Sequence, residues 1–432
     1  MCIAEFVADR VIVWRTVSRS LASALLAAAL LIYSHACLAD LDRQAQTPIV
    51  VMLSLDGFRA DYLDLYPDQS PNLRRLASRG LSAAGLTPGF PSSTFPNHYS
   101  IVTGMYPGRH GIIGNGFYDR ERNARYRLGD PSSVEDGTWY GGEPLWVAVE
   151  KAGMRAASFF WVGSEADVQG IRPSYYRRYD GSVSNRKRVE QVLAWLKLPL
   201  GERPNLVTLY FSTVDSVGHR FGPNSPKLPA AIKAVDKEVG RLVQGLAEID
   251  HPVYFMVSSD HGMQQIDLKQ TVYLDQYLDL GRWRGNNRLI LGGAYGFFYS
   301  DDAALLAQTA EDLSVIPSLT VLRPDQFSTA LRFPAQGPRI PNLVAVVDAP
   351  GYIGRVQGQG RPPPQGAHGF LPASTPSMQG IFIASGPRIP GQTQIPALDN
   401  VHIYPWVLGL LNIPVGSAID GQPDVLGRYL TP

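Results

Sequence analysis

The sequence predicts an α/β fold: a central, mostly parallel sheet sandwiched by helices, with a smaller inserted capping subdomain. Apolar, β-branched runs at residues 47–55 (TPIVVMLSL), 205–211 (NLVTLYF) and 252–257 (PVYFMV) are continuous rather than alternating, the pattern of strands covered on both faces. Segments with helical spacing lie around and between them, at residues 72–80, 143–153, 189–196 and 228–249. Strands that alternate with helices build a parallel sheet, and ligands collect at the carboxyl ends of its strands.

Taken in order, the chain begins with residues 21–32 (LASALLAAALLI), uncharged and apolar, preceded by Arg10, Arg15 and Arg19. This run is shorter than the roughly 20 residues that span a bilayer, and small residues follow it, so it reads as a secretory signal cut after Ala36 or Ala39. Residues 1–39 are therefore assigned to the signal and 40–432 to a single domain, periplasmic or secreted, with no stable membrane insertion after cleavage. Cys2 lies in the signal and Cys37 at its edge, which leaves no internal disulfide. The first strand ends in Asp56-Gly57, the second runs into Ser212-Thr213-Val214-Asp215, and the third into Ser258-Ser259-Asp260-His261. Between about 278 and 361 the chain is richer in Gly and Pro with short strands, and this is the expected inserted subdomain. Residues 380–384 (GIFIA) and a helix around 401–411 bring the C-terminus back to the sheet.

Lys+Arg 39 against Asp+Glu 38 gives a net charge of +1, which argues against a dedicated binder of nucleic-acid duplexes. Histidine is scarce, 8 in all, so its placement is informative. His219 follows Asp215 by four residues, a spacing that puts both on one side of a helix or turn. His261 follows Asp260 directly, and His368 sits in Gly366-Ala367-His368-Gly369, where glycines allow close backbone approach. With Asp56 this makes three carboxylates and three imidazoles, a donor set that suits two Zn2+ ions better than magnesium or calcium, which favour oxygen alone. Two such ions facing three aspartates leave a locally positive site that favours an anionic substrate and lowers the pKa of a bound hydroxyl. His98, His110, His251 and His402 lack this setting and read as structural. A nucleophile is expected in the proline- and hydroxyl-rich segment Thr87-Pro88-Gly89-Phe90-Pro91-Ser92-Ser93-Thr94, at a helix start whose free N–H groups favour phosphate. Composition alone does not rank Ser92, Ser93 and Thr94, since each can cap the helix.

The segments Asp56-Gly57-Phe58-Arg59, Thr94-Phe95-Pro96-Asn97-His98, Thr103-Gly104-Met105-Tyr106-Pro107, His110-Gly111-Ile112, Asn115, Asp215-Ser216-Val217-Gly218-His219 and Ser259-Asp260-His261-Gly262-Met263 resemble the nucleotide pyrophosphatase/phosphodiesterase family of the alkaline phosphatase superfamily. The resemblance implies an alkaline phosphatase-like fold. It also implies Thr94 as nucleophile on one zinc with Asp56, Asp260 and His261, and a second zinc held by Asp215, His219 and His368. Asn115 matches the asparagine that donates to a phosphate oxygen, and a phospho-threonine intermediate is expected. Phe95, Leu128 and Tyr179 match positions that line a nucleobase slot, so the expected partners are nucleotides or nucleotide-like small phosphodiesters, cleaved to nucleoside 5′-monophosphates.

Two departures stand out. Many members have a lysine where this chain has Gly141, in Tyr140-Gly141-Gly142-Glu143-Pro144, and Trp-Pro-Gly-Ser-Asp is replaced by Trp161-Val162-Gly163-Ser164-Glu165. The chain carries no cysteine-rich or nuclease-like module and reads as a compact bacterial type. The alternatives on the same scaffold are a phosphomonoesterase, a phosphonate hydrolase, a lipid-headgroup phosphodiesterase and a catalytically silent nucleotide-binding protein. The diester is preferred because no third-metal carboxylate set or serine-arginine pair accompanies Thr94.

Overall fold

The computed structural model describes residues 47–357 and 362–431. The expected signal, with Cys2 and Cys37, lies outside the described residues. Eight strands form the central sheet: β1 Ile49–Leu55, β2 Leu81–Ala83, β3 Ala156–Phe159, β4 Tyr175–Arg177, β5 Leu206–Phe211, β6 Val253–Ser258, β7 Phe382–Ser385 and β8 Thr393–Ile395. Their spatial order is β8-β2-β7-β6-β1-β5-β3-β4. Every pairing is parallel except the two made by β7, which runs against β6 and β2. The strands expected at residues 47–55, 205–211 and 252–257 are β1, β5 and β6, the three at the centre of the sheet.

The continuous apolar runs are explained by two cores. Val50 and Met52 of β1 join one cluster, while Ile49, Val51, Leu53 and Leu55 join another on the opposite face. Successive side chains point to opposite faces, so a strand with a core on both sides has no polar face to show. Each fully buried Val, Leu or Ile contributes about 1.5–3 kcal/mol, enough at seven consecutive buried positions to fix the register of β1. Helix α1, Thr94–Thr103, covers the first face through Tyr99, Ile101 and Val102. Helix α3, Leu228–Leu246, covers the second through Leu228, Ile232, Val235, Val239 and Leu242. Between them in sequence, α2 spans Thr213–Phe221 and is ended by Gly222 at φ +88°.

A second, antiparallel sheet in the order Arg288–Leu291, Tyr295–Tyr299, Leu343–Val347, Leu319–Leu322 lies within the region of short strands. One face, with Tyr295, Phe297, Tyr299, Val344 and Val346, joins the core under α1; the other builds a core of its own around Trp283, Phe298 and Leu313. Among the described residues no helix is long and apolar enough to cross a membrane.

Candidate active site

The site grows from the carboxyl ends of the three central strands. β5 and β6 flank β1 in parallel, with Leu55 opposite Phe211 and Ser54 opposite Ser258, so the residues that follow each strand emerge side by side. Asp56 comes directly after β1, Asp260 and His261 follow β6, and α2 carries Asp215 and His219 one turn apart. Gly57 lets the chain turn here: its φ is +64°, and a Cβ would lie 3.0 Å from Asp215 Cβ. His368 arrives from the C-terminal side, beside the two-residue pairing of Gln264–Gln265 with Gly366–Ala367.

Two triads place their donor atoms within 4.8 Å of one another: Asp56 with Asp260 and His261, and Asp215 with His261 and His368. The first is the set expected from sequence. In the second, His261 stands where His219 is expected; its ring stacks on His368 at 3.7 Å, and His219 Nε2 lies 3.4 Å from Asp215 Oδ1.

Each histidine directs Nδ1 at a backbone carbonyl: His219 at Gly366 (2.8 Å), His261 at Gly262 (2.7 Å) and His368 at Ser92 (3.0 Å). Donation from Nδ1 leaves the lone pair on Nε2, the arrangement that orients a metal-binding imidazole. Those Nε2 atoms face carboxylate oxygens: Asp56 Oδ1 at 3.4 Å and Asp260 Oδ2 at 3.1 Å from His261, and Asp215 Oδ1 at 3.9 Å from His368. The same three oxygens are buried without a hydrogen-bond partner. Lone pairs converging out of water are costly unless a cation lies among them, so the residues fit divalent metal, and the mixed N/O donors fit zinc.

The electrostatics agree. Burial, then the charges of Asp260 and Asp215, push the Asp56 carboxyl well above the usual range; burial and Asp260 do the same to Asp215, and burial pushes Asp260 up to about 8. Burial brings His261 down to about 3, and burial with the neighbouring His261 and His219 holds His368 well below its ordinary value. A pH dependence follows for metal-free protein. Above about pH 7.5 the histidines of the unfolded chain are neutral, as burial already keeps His261 and His368 in the folded one, so the carboxylates decide. The folded chain then holds protons that the unfolded chain has lost, and stability falls as pH rises from about 7.5 through the Asp260 value of about 8. Thermal melting of chelator-treated protein should move down across that window, and zinc should abolish the trend by displacing those protons. A melting temperature that rises with pH in the chelated protein contradicts the assignment.

Thr94 opens α1, and its Oγ1 lies 3.2 Å from His261 Nε2. The competing hydroxyls are committed elsewhere: Ser92 donates to the Phe370 carbonyl at 2.8 Å and accepts from Gly369 N–H, and Ser93 bonds the Tyr295 phenol. Asn97 braces the preceding loop, accepting from Gly89 N–H at 2.7 Å and donating to Pro91 and Ser93 carbonyls at 2.9 and 3.0 Å. Asn115 accepts the Phe95 N–H on Oδ1 at 2.9 Å, which leaves its amide NH2 as the donor end beside Thr94. Leu128, half exposed, donates its N–H to the Asn115 carbonyl. Tyr179 is also half exposed and packs on Phe160 at 5.1 Å and on Tyr210 at 6.1 Å. Its N–H donates to Glu165 Oε1 at 2.8 Å. At Gly141 a Cβ would meet the His110 carbonyl at 2.8 Å, so the backbone passes too close for a side chain at this position.

Two residues behind the triads escape sequence reasoning. Tyr210 donates to Asp56 Oδ2. His98, read from sequence as structural, is fully buried with Nδ1 2.9 Å from the Thr94 carbonyl and 3.2 Å from Asp260 Oδ2, and Nε2 2.8 Å from Ser54 Oγ. It also packs edge-on against Trp161 and Tyr210 at 5.1 and 5.2 Å.

The type I phosphodiesterase/nucleotide pyrophosphatase family matches residues 50–371. Human ectonucleotide pyrophosphatase/phosphodiesterase family member 1 is 35% identical over 382 residues, 85% of this chain and 40% of the relative. Venom phosphodiesterase of Macrovipera lebetinus is 33% identical over 379 residues, so the chain spans 40 to 43% of the length of these two relatives. An uncharacterized pyrophosphatase/phosphodiesterase of Schizosaccharomyces pombe is 35% identical over 385 residues and is covered to 77%. Among solved structures, murine ectonucleotide pyrophosphatase/phosphodiesterase 5, in an inactive form with a threonine replaced by alanine and in complex with AMP, superposes with a TM-score of 0.82 at 28% identity. That match covers 89% of this chain and 100% of the murine one. These relatives are vertebrate and fungal and lend no support to a specifically bacterial type. With a family match over most of its length and a fission-yeast relative covered to 77%, the chain belongs to the type I phosphodiesterase/nucleotide pyrophosphatase family.

Proposed function

We propose that this protein hydrolyses phosphodiester and pyrophosphate bonds of nucleotides, releasing nucleoside 5′-monophosphates through a phospho-threonine at Thr94. The observation that carries the reading is the convergence of three partnerless buried carboxylate oxygens and the Nε2 atoms beside the Thr94 hydroxyl, which lies 3.2 Å from His261 Nε2. Asp56, Asp260 and His261 would hold one cation, and Asp215, His219 and His368 the other. When bound, two zinc ions supply Lewis-acid charge that lowers the pKa of the attacking hydroxyl and offsets charge on the phosphoryl and leaving oxygens.

Thr94 Oγ1 forms the new bond to phosphorus as the bond to the leaving oxygen breaks. Water then displaces Thr94 in a second step and frees the nucleotide. The Asn115 amide, fixed through its own oxygen by Phe95 N–H, donates to the phosphoryl oxygen as charge develops there. Both displacements occur at the start of α1, where the helix dipole favours negative charge. Phe95, Leu128 and Tyr179 would contribute the surfaces on which a base stacks. The murine relative, named in complex with AMP, supports a nucleotide as ligand. The apolar run at residues 21–32, with arginines before it, supports a periplasmic or secreted location.

The slot gives the test. Base stacking on an aromatic side chain is worth about 1–3 kcal/mol, so Tyr179→Ala should raise KM for a nucleotide diester about ten-fold. Bis-p-nitrophenyl phosphate, which carries no base, should be affected far less. Equal changes on both substrates would remove the base slot, and absence of nucleoside 5′-monophosphate among the products would remove the function.

A further inference from the structure

Two arginines of one hairpin lie beside Asn115. The strand Ala124–Arg127 pairs antiparallel with Gly116–Asp119, Arg127 opposite Gly116 and Arg125 opposite Tyr118. Tyr126 turns into the core, stacked on Phe117 at 4.9 Å and edge-on to Phe95 at 6.1 Å. The alternation of a strand therefore puts Arg125 and Arg127 together on the other face. The Arg125 head reaches back to Gly116: a Cβ built there would lie 3.7 Å from Arg125 Nη2. The guanidinium thus sits next to residue 116, one peptide bond from Asn115. Arg288 adds a further cation, 5.2 Å over the ring of Tyr118, the residue opposite Arg125.

Among the described residues Arg125, Arg127, Arg288 and Arg355 form no ion pair, and Asp119 on the same hairpin is already held by Arg122 and Arg339. Burial first, and then the neighbouring Arg127 and Arg355 cations, lower the Arg125 pKa. Guanidinium groups suit phosphate because their planar fork matches its oxygens.

We infer that Arg125, supported by Arg127 and Arg288, forms an anion subsite for a second phosphate of the substrate, adjacent to the one being cleaved. This rests on the reading of Thr94 and Asn115 as the groups at the reacting phosphate. A second phosphate can be joined through an anhydride, as in a nucleoside triphosphate, or through the next diester of a short oligonucleotide. Four substrates separate these sources: the p-nitrophenyl ester of thymidine 5′-monophosphate against ATP, and the dinucleotide TpT against the trinucleotide TpTpT.

With the zinc-loaded full chain, Arg125→Gln should lower kcat/KM at least about ten-fold on ATP, on TpTpT or on both, as loss of a charge-assisted bond does. The two single-phosphate substrates should stay within about two-fold, since the substituted group lies outside their reach. Arg125→Lys, which keeps the charge but loses the fork, should fall between. A loss confined to ATP identifies the anhydride-linked phosphate as the occupant, and one confined to TpTpT identifies the diester. Uniform loss on all four, or no loss, overturns the subsite while the phosphodiesterase reading stands. A wild-type protein that cleaves none of them removes both.

Discussion

Thr94→Ala should reduce kcat on a nucleotide diester by about 10⁴-fold or more, the scale seen when a covalent nucleophile is deleted. The size of the effect follows from the lack of a substitute. Ser92 and Ser93 are nearest in sequence, but both hydroxyls are buried and bonded elsewhere, to Phe370 and Gly369 and to Tyr295. The change removes a hydroxyl and a methyl from a half-buried first position of α1, and Ser93 keeps its extended cap geometry. The fold and the carboxylate-imidazole cluster should therefore survive. Zinc content and nucleotide affinity of the variant should stay near wild type while turnover disappears, and Thr94→Ser should keep part of the activity. Undiminished hydrolysis by Thr94→Ala contradicts the nucleophile assignment.

The parts of the molecule that were legible in the sequence share a physical cause. β1, β5 and β6 are buried on both faces, so their apolar runs are continuous and end abruptly in polar residues, which marks the strand ends and the carboxylates together. Asp215 and His219 were legible because a four-residue spacing on a helix is a contact. The same spacing separates Thr94 from His98, and applied there it would have pointed to the histidine behind the site. His98 stayed hidden because its other partners, Ser54 and Asp260, come from distant strands. Tyr210 is hidden differently: within an apolar strand its hydroxyl reads as one more aromatic edge, and only the register of β5 on β1 brings it to Asp56. The placement of His261 in both triads depends on the stacking of two rings from segments far apart in the chain, which no local pattern encodes.

The choice between diester and monoester has the other large expected effect. Two zinc ions held as proposed against Asp56, Asp215 and Asp260 would leave about one net positive charge, which matches the single charge of a phosphodiester. A monoester dianion brings a second charge, and it offers neither a base for Phe95, Leu128 and Tyr179 nor a second phosphate for Arg125. Missing recognition of this kind amounts to discrimination of about 10³-fold or more. The decisive measurement compares kcat/KM of the zinc-loaded protein on the p-nitrophenyl ester of thymidine 5′-monophosphate and on p-nitrophenyl phosphate under identical conditions. The geometry predicts a preference of that size for the diester; comparable or reversed rates contradict a nucleotide phosphodiesterase and leave a monoesterase, or another substrate, on the same cluster.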